Sequence, residues 1–155
     1  MTWLIFAILA CGAQKPRNGL VFDHQGQTLL VEKSGKRWNL ELEGDAEALE
    51  YALGCSVVVQ GRTMGRTVRV REWKITDSGF GSEPHVGYLK RHGGNWIMDD
   101  RNTGTIIQFE VESLGKLAEA DGSLVLIDGV VVGPQLIRVA SFRILEKQEE
   151  TGGAE

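Results

Sequence analysis

The second half of this 155-residue chain repeats the first half at an offset of 68 positions. The glycines and the histidine that keep this register are Gly19, His24, Gly26, Gly54, Gly61 and Gly65, matched by Gly87, His92, Gly94, Gly122, Gly129 and Gly133. One extra residue in the second copy then aligns Val70, Trp73 and Ile75 with Val139, Phe142 and Ile144. A repeat of this length predicts two similar folding units, so each copy tests the interpretation of the other.

Each copy shows the pattern of three short strands, a helix and two further strands. In the first copy, apolar runs and alternation predict strands at 19–22, 28–32, 37–42, 56–61 and 67–75, and helix formers predict a helix at 45–53. In the second copy the strands are expected at 86–89, 96–99, 105–111, 123–128 and 136–145, with a helix at 114–120. We therefore expect an all-β or β-rich protein.

This order of elements resembles the OB-fold, a five-stranded Greek-key barrel with a helix between its third and fourth strands. The resemblance implies two tandem OB-like barrels at 19–77 and 86–146, joined by a linker at 78–85 and followed by a flexible tail at 147–155. An SH3-like barrel is the rival fold. It usually has only a short 3₁₀ turn where this chain has about nine residues of helical pattern.

An apolar run at residues 3–10 precedes Cys11 and has no counterpart in the second copy. A short apolar segment followed by small residues is typical of a signal peptide. A buried strand and an uncleaved signal are the alternatives.

The segment Ile8-Leu9-Ala10-Cys11 also resembles a bacterial lipobox. That resemblance implies a signal peptide at 1–10, acylation of Cys11, a lipidated tether at 11–18 and attachment to a membrane. No aspartate follows Cys11, which for such lipoproteins points to the outer membrane, on its periplasmic or surface side.

No residue pattern in the chain predicts catalysis, and we expect no enzyme, no metal and no cofactor. His24 and His92 fall in equivalent turns, His85 falls in the linker, and Asp99-Asp100 has the pattern of a solvated turn. Cys55 begins an apolar strand, which predicts a buried thiol. A disulfide between Cys11 and Cys55 is the alternative.

The strongest candidate for a binding surface is the hairpin between the fourth and fifth strands of the first copy. Its cations are Arg62, Arg66, Arg69, Arg71 and Lys74, and the alternation of a strand would place Arg69 and Arg71 on one face with Trp73. Arginine suits carboxylate or phosphate groups, and tryptophan can stack. The alternatives are a solvated strand face and an ion-pairing surface between the barrels.

These features predict a membrane-anchored lipoprotein of the bacterial envelope that acts as a binding, adaptor or structural module. Its expected partners are the membrane, through acyl chains on Cys11, and another envelope protein or a glycan. The alternative is a cytoplasmic protein that binds single-stranded nucleic acid through the hairpin and Trp38, Trp73 and Trp96. The net charge of −4 and the pI near 5.4 argue against it.

Overall fold

The computed structural model describes residues 14–146, and most of these residues lie in strands, which confirms the β-rich prediction. The strands are β1 (Arg17–His24), β2 (Gln27–Val31), β3 (Arg37–Glu41), β4 (Ser56–Met64), β5 (Thr67–Asp77), β6 (Pro84–His92), β7 (Asn95–Asp100), β8 (Thr105–Phe109), β9 (Leu124–Gly133) and β10 (Leu136–Ile144). Three 3₁₀ helices accompany them: η1 (Gly44–Tyr51), η2 (Val111–Ser113) and η3 (Gly115–Ala120).

The ten strands form two five-stranded sheets, and the strand pairings of each sheet run in a ring. In the first ring the order is β1-β2-β3-β5-β4, with β4 returning to β1 and with β3 parallel to β5. The second ring has the same order, β6-β7-β8-β10-β9, with β8 parallel to β10 over a short contact. We call them barrel 1 (17–77) and barrel 2 (84–144).

The helical segments are 3₁₀ helices, where the sequence predicted longer helices at 45–53 and 114–120. Three buried residues in each copy are spaced by three positions: Ala46, Leu49 and Ala52 in the first, and Leu114, Leu117 and Ala120 in the second; Ala48 is buried beside the first set. A helix with three residues per turn keeps such residues on one face. Leu53, the last residue of the predicted helix, is 42% exposed.

One matched pair of glycines is required by close contact between strands. A Cβ on Gly61 would lie 1.9 Å from the carbonyl oxygen of Arg69, and one on Gly129 would lie 2.4 Å from Cγ2 of Ile137. In both barrels the register of the last hairpin shifts next to this glycine. The same strand distortion therefore occurs twice, at the position where each ring bends.

Another matched pair has diverged in structure. Gly65 has φ +61° in the two-residue turn that follows Met64, whereas in barrel 2 the left-handed residue of the β9–β10 turn is Gln135, with φ 57°. Gly133 instead pairs with Leu136 just before this turn. The extra residue of the second copy has moved the turn by one position.

The two barrels share an apolar cluster because β9 is buried on both of its faces. Val125 and Ile127 lie in the core of barrel 2, whereas Leu124 and Leu126 join the core of barrel 1. Val86 and Leu145 belong to the same cluster as Leu124 and Leu126. The outer surface of β6 and β9 therefore packs against barrel 1.

The connection between the barrels, residues 78–83, is also held in place. Asp128 is 2% exposed, and its Oδ1 accepts hydrogen bonds from the hydroxyls of Ser78 and Ser82. The hydroxyl of Ser141 donates to its other oxygen. These contacts fix the segment that the sequence suggested as a short linker.

We predict that Gly61→Ala lowers the free energy of unfolding by about 2 kcal/mol, because its methyl group would meet rigid backbone. Gly133→Ala is the matched control, since the nearest atom to its Cβ would be at an ordinary 3.5 Å. Urea unfolding of both variants measures the difference. Equal free energies of unfolding for the two variants would show that β4 and β5 can move apart at Gly61 to accommodate a methyl group.

Candidate functional site

The basic hairpin predicted from the sequence is the β4–β5 hairpin, and its tip is exposed. Met64 pairs with Thr67 around a turn made by Gly65 and Arg66. Arg62 and Arg66 are exposed and form no ion pair within the described part of the chain. Both guanidinium groups are therefore available to a ligand.

Arg69 is engaged within barrel 1. Its Nη2 lies 2.9 Å from Oε1 of Glu41, on the neighbouring strand β3. The hydrogen bond from Arg69 lowers the pKa of Glu41 below its usual value. Arg69 is thus less available than the arginines at the tip.

The prediction that Trp73 shares a face with Arg69 and Arg71 is wrong. Gln60 pairs with Glu72 and Gly61 pairs with Val70, so Arg71 is an extra residue that forms a β-bulge. Beyond it the alternation changes phase. Arg71 is exposed, whereas Trp73 is only 8% exposed and shares the buried side with Val70.

Trp73 lies where barrel 1 meets barrel 2. Its Nε1 donates to Oδ2 of Asp45 over 3.0 Å, and the guanidinium of Arg101 lies 4.3 Å from its ring centroid. Arg101 also donates two hydrogen bonds of 2.8 and 2.7 Å to Asp45. The hydrogen bonds from Arg101 lower the pKa of Asp45. This part of the predicted surface is a contact between barrels.

A second polar contact between the barrels satisfies the end of η1. Arg143 donates to the carbonyl oxygens of Tyr51 and Leu53 and lies 3.6 Å from Sγ of Cys55. Cys55 is fully buried, as the sequence predicted, and burial raises the pKa of its thiol. Its counterpart in the second copy, Ser123, is 2% exposed.

The topology brings further cations to the end of barrel 1 that carries the hairpin tip. Strands β1, β3 and β5 begin at this end, and β2 and β4 finish there, because neighbouring strands run antiparallel except for β3 and β5. We call it the basic end; its exposed cations are Lys15, Lys33, Lys36, Arg37, Arg62 and Arg66.

The acidic group closest to this surface is already engaged. Glu32 accepts a 2.8 Å hydrogen bond from Nε1 of Trp38 and lies 3.6 Å from Arg17. Arg17 also donates to the hydroxyl of Thr63, which connects β1 to the hairpin. The basic end is therefore strongly positive in a chain whose net charge is −4.

The tryptophans considered for base stacking are buried. Trp38 is 4% exposed, and both Arg17 and Lys36 approach its ring, at 3.6 and 4.1 Å from the centroid. Trp96 is 9% exposed in the core of barrel 2. None of the three tryptophans that lie within 14–146 offers a free ring face to a nucleic-acid base.

Sequence reasoning missed Lys33, Lys36 and Arg37 as neighbours of the hairpin. They lie about 30 residues away in sequence, and only the parallel pairing of β3 with β5 brings them close. The backbone N–H of Asn39, in β3, donates to the carbonyl oxygen of Arg66 at the hairpin tip and so joins the two segments. The sequence feature that could have identified these residues is the lysine and arginine content of the β2–β3 connection.

Sequence reasoning also missed a buried pair at the start of barrel 2. The sequence placed His85 in a linker and Asp100 in a solvated turn, but these residues are 7% and 1% exposed. Nδ1 of His85 lies 2.9 Å from Oδ2 of Asp100, and the hydroxyl of Thr103 donates to the same oxygen. The backbone N–H groups of Val86 and Asn102 donate to Oδ1.

A cleft of about 620 Å³ lies at the other end of barrel 1, between η1 and barrel 2. Two tyrosines, Tyr51 and Tyr88, form part of its wall, and burial together with nearby Glu146 raises the pKa of Tyr88. The carboxylates around it belong to Asp45, Glu47, Glu50 and Glu146. The molecule therefore carries an acidic cleft and a basic end at opposite ends of barrel 1.

Cys11, the residue predicted to carry lipid, lies outside the described residues. Over residues 14–146 no helix has the length and apolarity needed to cross a bilayer, and no group of three or more potential ligands is placed to hold a metal ion. No protein-family model and no curated protein matches this chain. Its function must therefore be inferred from its own residues and geometry.

We predict a coupling of about 1 kcal/mol between Asp45 and Arg101, because the pair is bidentate but partly exposed. The measurement is a double-mutant cycle with Asp45→Asn and Arg101→Met, followed by urea unfolding. Arg101→Met keeps an aliphatic stem over Trp73, which limits the change in packing. Additive effects would show that the ion pair does not connect the barrels.

We predict that Asp100→Asn lowers the free energy of unfolding at neutral pH by about 2 kcal/mol, since the charged carboxylate accepts four hydrogen bonds. Burial alone would raise the pKa of Asp100, but the hydrogen bonds from His85, Thr103 and the two backbone N–H groups outweigh it and lower the pKa.

The sign of the pH effect follows from this lowered pKa. The stabilisation from Asp100 is fully present above the unfolded pKa of about 4 and is lost as the pH falls through the lower folded value. The gap in stability between wild type and Asp100→Asn should therefore narrow in acid. Asp99→Asn, on the exposed neighbour, should show no such gap; a constant gap for Asp100→Asn would contradict the assignment.

Proposed function

We propose that this protein is a lipoprotein of the bacterial cell envelope that acts by binding, without catalysis. The proposal starts from Ile8-Leu9-Ala10-Cys11, whose resemblance to a lipobox implies acyl chains on Cys11. The membrane is then its first partner. A second partner, another envelope protein or a glycan, binds to the body of the protein, which makes the molecule an adaptor or a structural module.

The strand order supports the OB-like assignment of both barrels. In each ring the fourth strand returns to lie beside the first, in the order 4-1-2-3 of a Greek key. A helical segment lies between the third and fourth strands of each copy, although it is a 3₁₀ helix. OB-folds bind ligands through the loops between strands 1 and 2 and between strands 4 and 5, which in barrel 1 include the hairpin with Arg62 and Arg66.

The observation that carries the proposal is where the predicted tether reaches the barrel. Arg17 is the first residue of β1, six positions after Cys11, and it lies at the basic end. Barrel 2 packs against the opposite end of barrel 1 through apolar and ionic contacts. Lipid on Cys11 would hold barrel 1 near the membrane and would place barrel 2 farther out, where it can meet a partner.

The alternative function, binding of single-stranded nucleic acid, is favoured by one observation. The exposed cations of the basic end suit any polyanion. The burial of Trp38, Trp73 and Trp96 removes the stacking platform on which such proteins usually depend. Salt-sensitive retention on single-stranded DNA would support this alternative, and its absence would remove it.

We predict that the protein in its native membrane fraction lacks residues 1–10 and carries acyl chains on Cys11. Intact mass spectrometry of that fraction tests this directly. We also expect Cys11→Ser to move the protein from the membrane fraction to the soluble fraction after a high-salt wash, because the acylated residue is gone and salt screens the remaining surface charges. Cys55→Ser is the matched control; it leaves Cys11 in place and introduces the residue found at buried Ser123.

An unmodified chain that begins at Met1 would overturn the lipoprotein proposal. Retention of Cys11→Ser in the membrane fraction after a high-salt wash would point instead to the apolar segment at 3–10 as an uncleaved anchor. Either result would strengthen the case for testing nucleic acid as the ligand.

A further inference from the structure

The hairpin cations of the basic end, Arg62 and Arg66, have no basic counterpart in the second copy. In barrel 2 the positions of Arg62 and Thr63 are taken by Val130 and Val131, and the last hairpin there has no basic residue until Arg138. Both rings nevertheless have the same strand order. The positive charge of this hairpin is therefore not needed to form the barrel.

The reach of the predicted tether limits what the basic end can meet. Arg17 is six residue steps from Cys11, so a fully extended chain between their Cα atoms spans about 20 Å. Arg17 is held to Thr63 by a 3.1 Å hydrogen bond, so the hairpin lies directly beside the point where the tether begins. With Cys11 acylated, the basic end cannot lie far from the lipid headgroups.

We propose that the basic end of barrel 1 binds the anionic surface of the membrane, through the headgroups of acidic phospholipids. The inference rests on the proposed function, because acylation of Cys11 is what places this end at the membrane. Arg37, Arg62 and Arg66 are exposed and form no ion pair with residues 14–146, so their charges can be neutralised by headgroups.

The charge distribution also orients the molecule. The acidic cleft beside η1 lies at the end of barrel 1 where β3 finishes, opposite the basic end. An anionic surface attracts one end and repels the other. The membrane therefore holds barrel 1 upright, and the acidic cleft and barrel 2 face away from the lipid.

The test measures binding of residues 11–155, the mature chain of the proposed lipoprotein, to vesicles. Every variant carries Cys11→Ser, so that neither the apolar segment at 3–10 nor an acyl chain contributes. One set of vesicles is phosphatidylcholine alone; in the other about a third is replaced by phosphatidylglycerol, a lipid with an anionic headgroup. We expect binding to the anionic vesicles to exceed binding to the neutral ones at least tenfold. Raising the salt concentration should abolish the difference, since it screens the charges.

Charge reversal locates the surface. Each cation close to an anionic membrane contributes about fivefold to the partition coefficient, so Arg62→Glu/Arg66→Glu should lower anionic binding at least tenfold. The matched control is Arg91→Glu/Lys116→Glu, which makes the same change in net charge on barrel 2. Both control residues are exposed and, within the described chain, lack ion pairs. The control should bind as the parent does.

Three results would overturn the inference. One is equal binding to neutral and anionic vesicles, and another is an equal loss of binding in both charge-reversal variants. The third is salt-sensitive binding of the parent protein to single-stranded DNA without any binding to anionic vesicles. That result would assign the basic end to nucleic acid. The vesicle assay contains no acyl chain, so a negative result there argues against the basic end as a membrane-binding surface. An intact mass that shows no acyl chain on Cys11 would instead argue against the lipid anchor.

Discussion

The architecture depends on the burial of one strand, β9, from two sides. Val125 and Ile127 fill barrel 2, while Leu124 and Leu126 extend the core of barrel 1. Residues of a typical strand alternate between core and solvent, but here each face of β9 removes apolar surface from water. We therefore expect the two barrels to unfold together, since unfolding barrel 2 would expose part of the core of barrel 1. The ion pair of Arg101 with Asp45 and the hydrogen bonds from Arg143 to backbone carbonyl oxygens lie beside this apolar contact.

Rigid coupling of the barrels determines how the charged surfaces relate to one another. Two independent barrels on a flexible linker would sample many orientations, and a basic end and an acidic cleft would have no fixed relation. Here Asp128 accepts hydrogen bonds from the segment at 78–83, and Arg143 of barrel 2 donates to the carbonyl oxygen of Tyr51, the last residue of η1. A contact made at the basic end therefore fixes the direction in which the cleft and barrel 2 point. This is the property that an adaptor on a surface needs.

The repeat was enough to predict two β-rich units with the same order of elements, because the glycines and apolar runs recur at matched places. Three features depended on information that no alternation pattern contains. The bulge at Arg71 reversed the side of Trp73, and the pairing of β3 with β5 brought Arg37 to the hairpin. The burial of Asp100 came from its position among His85, Thr103 and two backbone N–H groups of barrel 2. By contrast, the 3₁₀ helices were visible in principle, in the three-residue spacing of Ala46, Leu49 and Ala52.

The surface of barrel 2 that packs on barrel 1 has an equivalent on barrel 1, and that equivalent is largely polar. The strand pairings place Asn18, Ser56 and Thr76 where barrel 2 has Val86, Leu124 and Leu145. Identical repeats that each carried the apolar surface and the surface that receives it would join head to tail into a fibre. The first copy has the surface that receives barrel 2 but lacks the apolar surface that would dock on a further copy. This particular contact therefore cannot repeat along an array, and the duplication yields a pair of barrels.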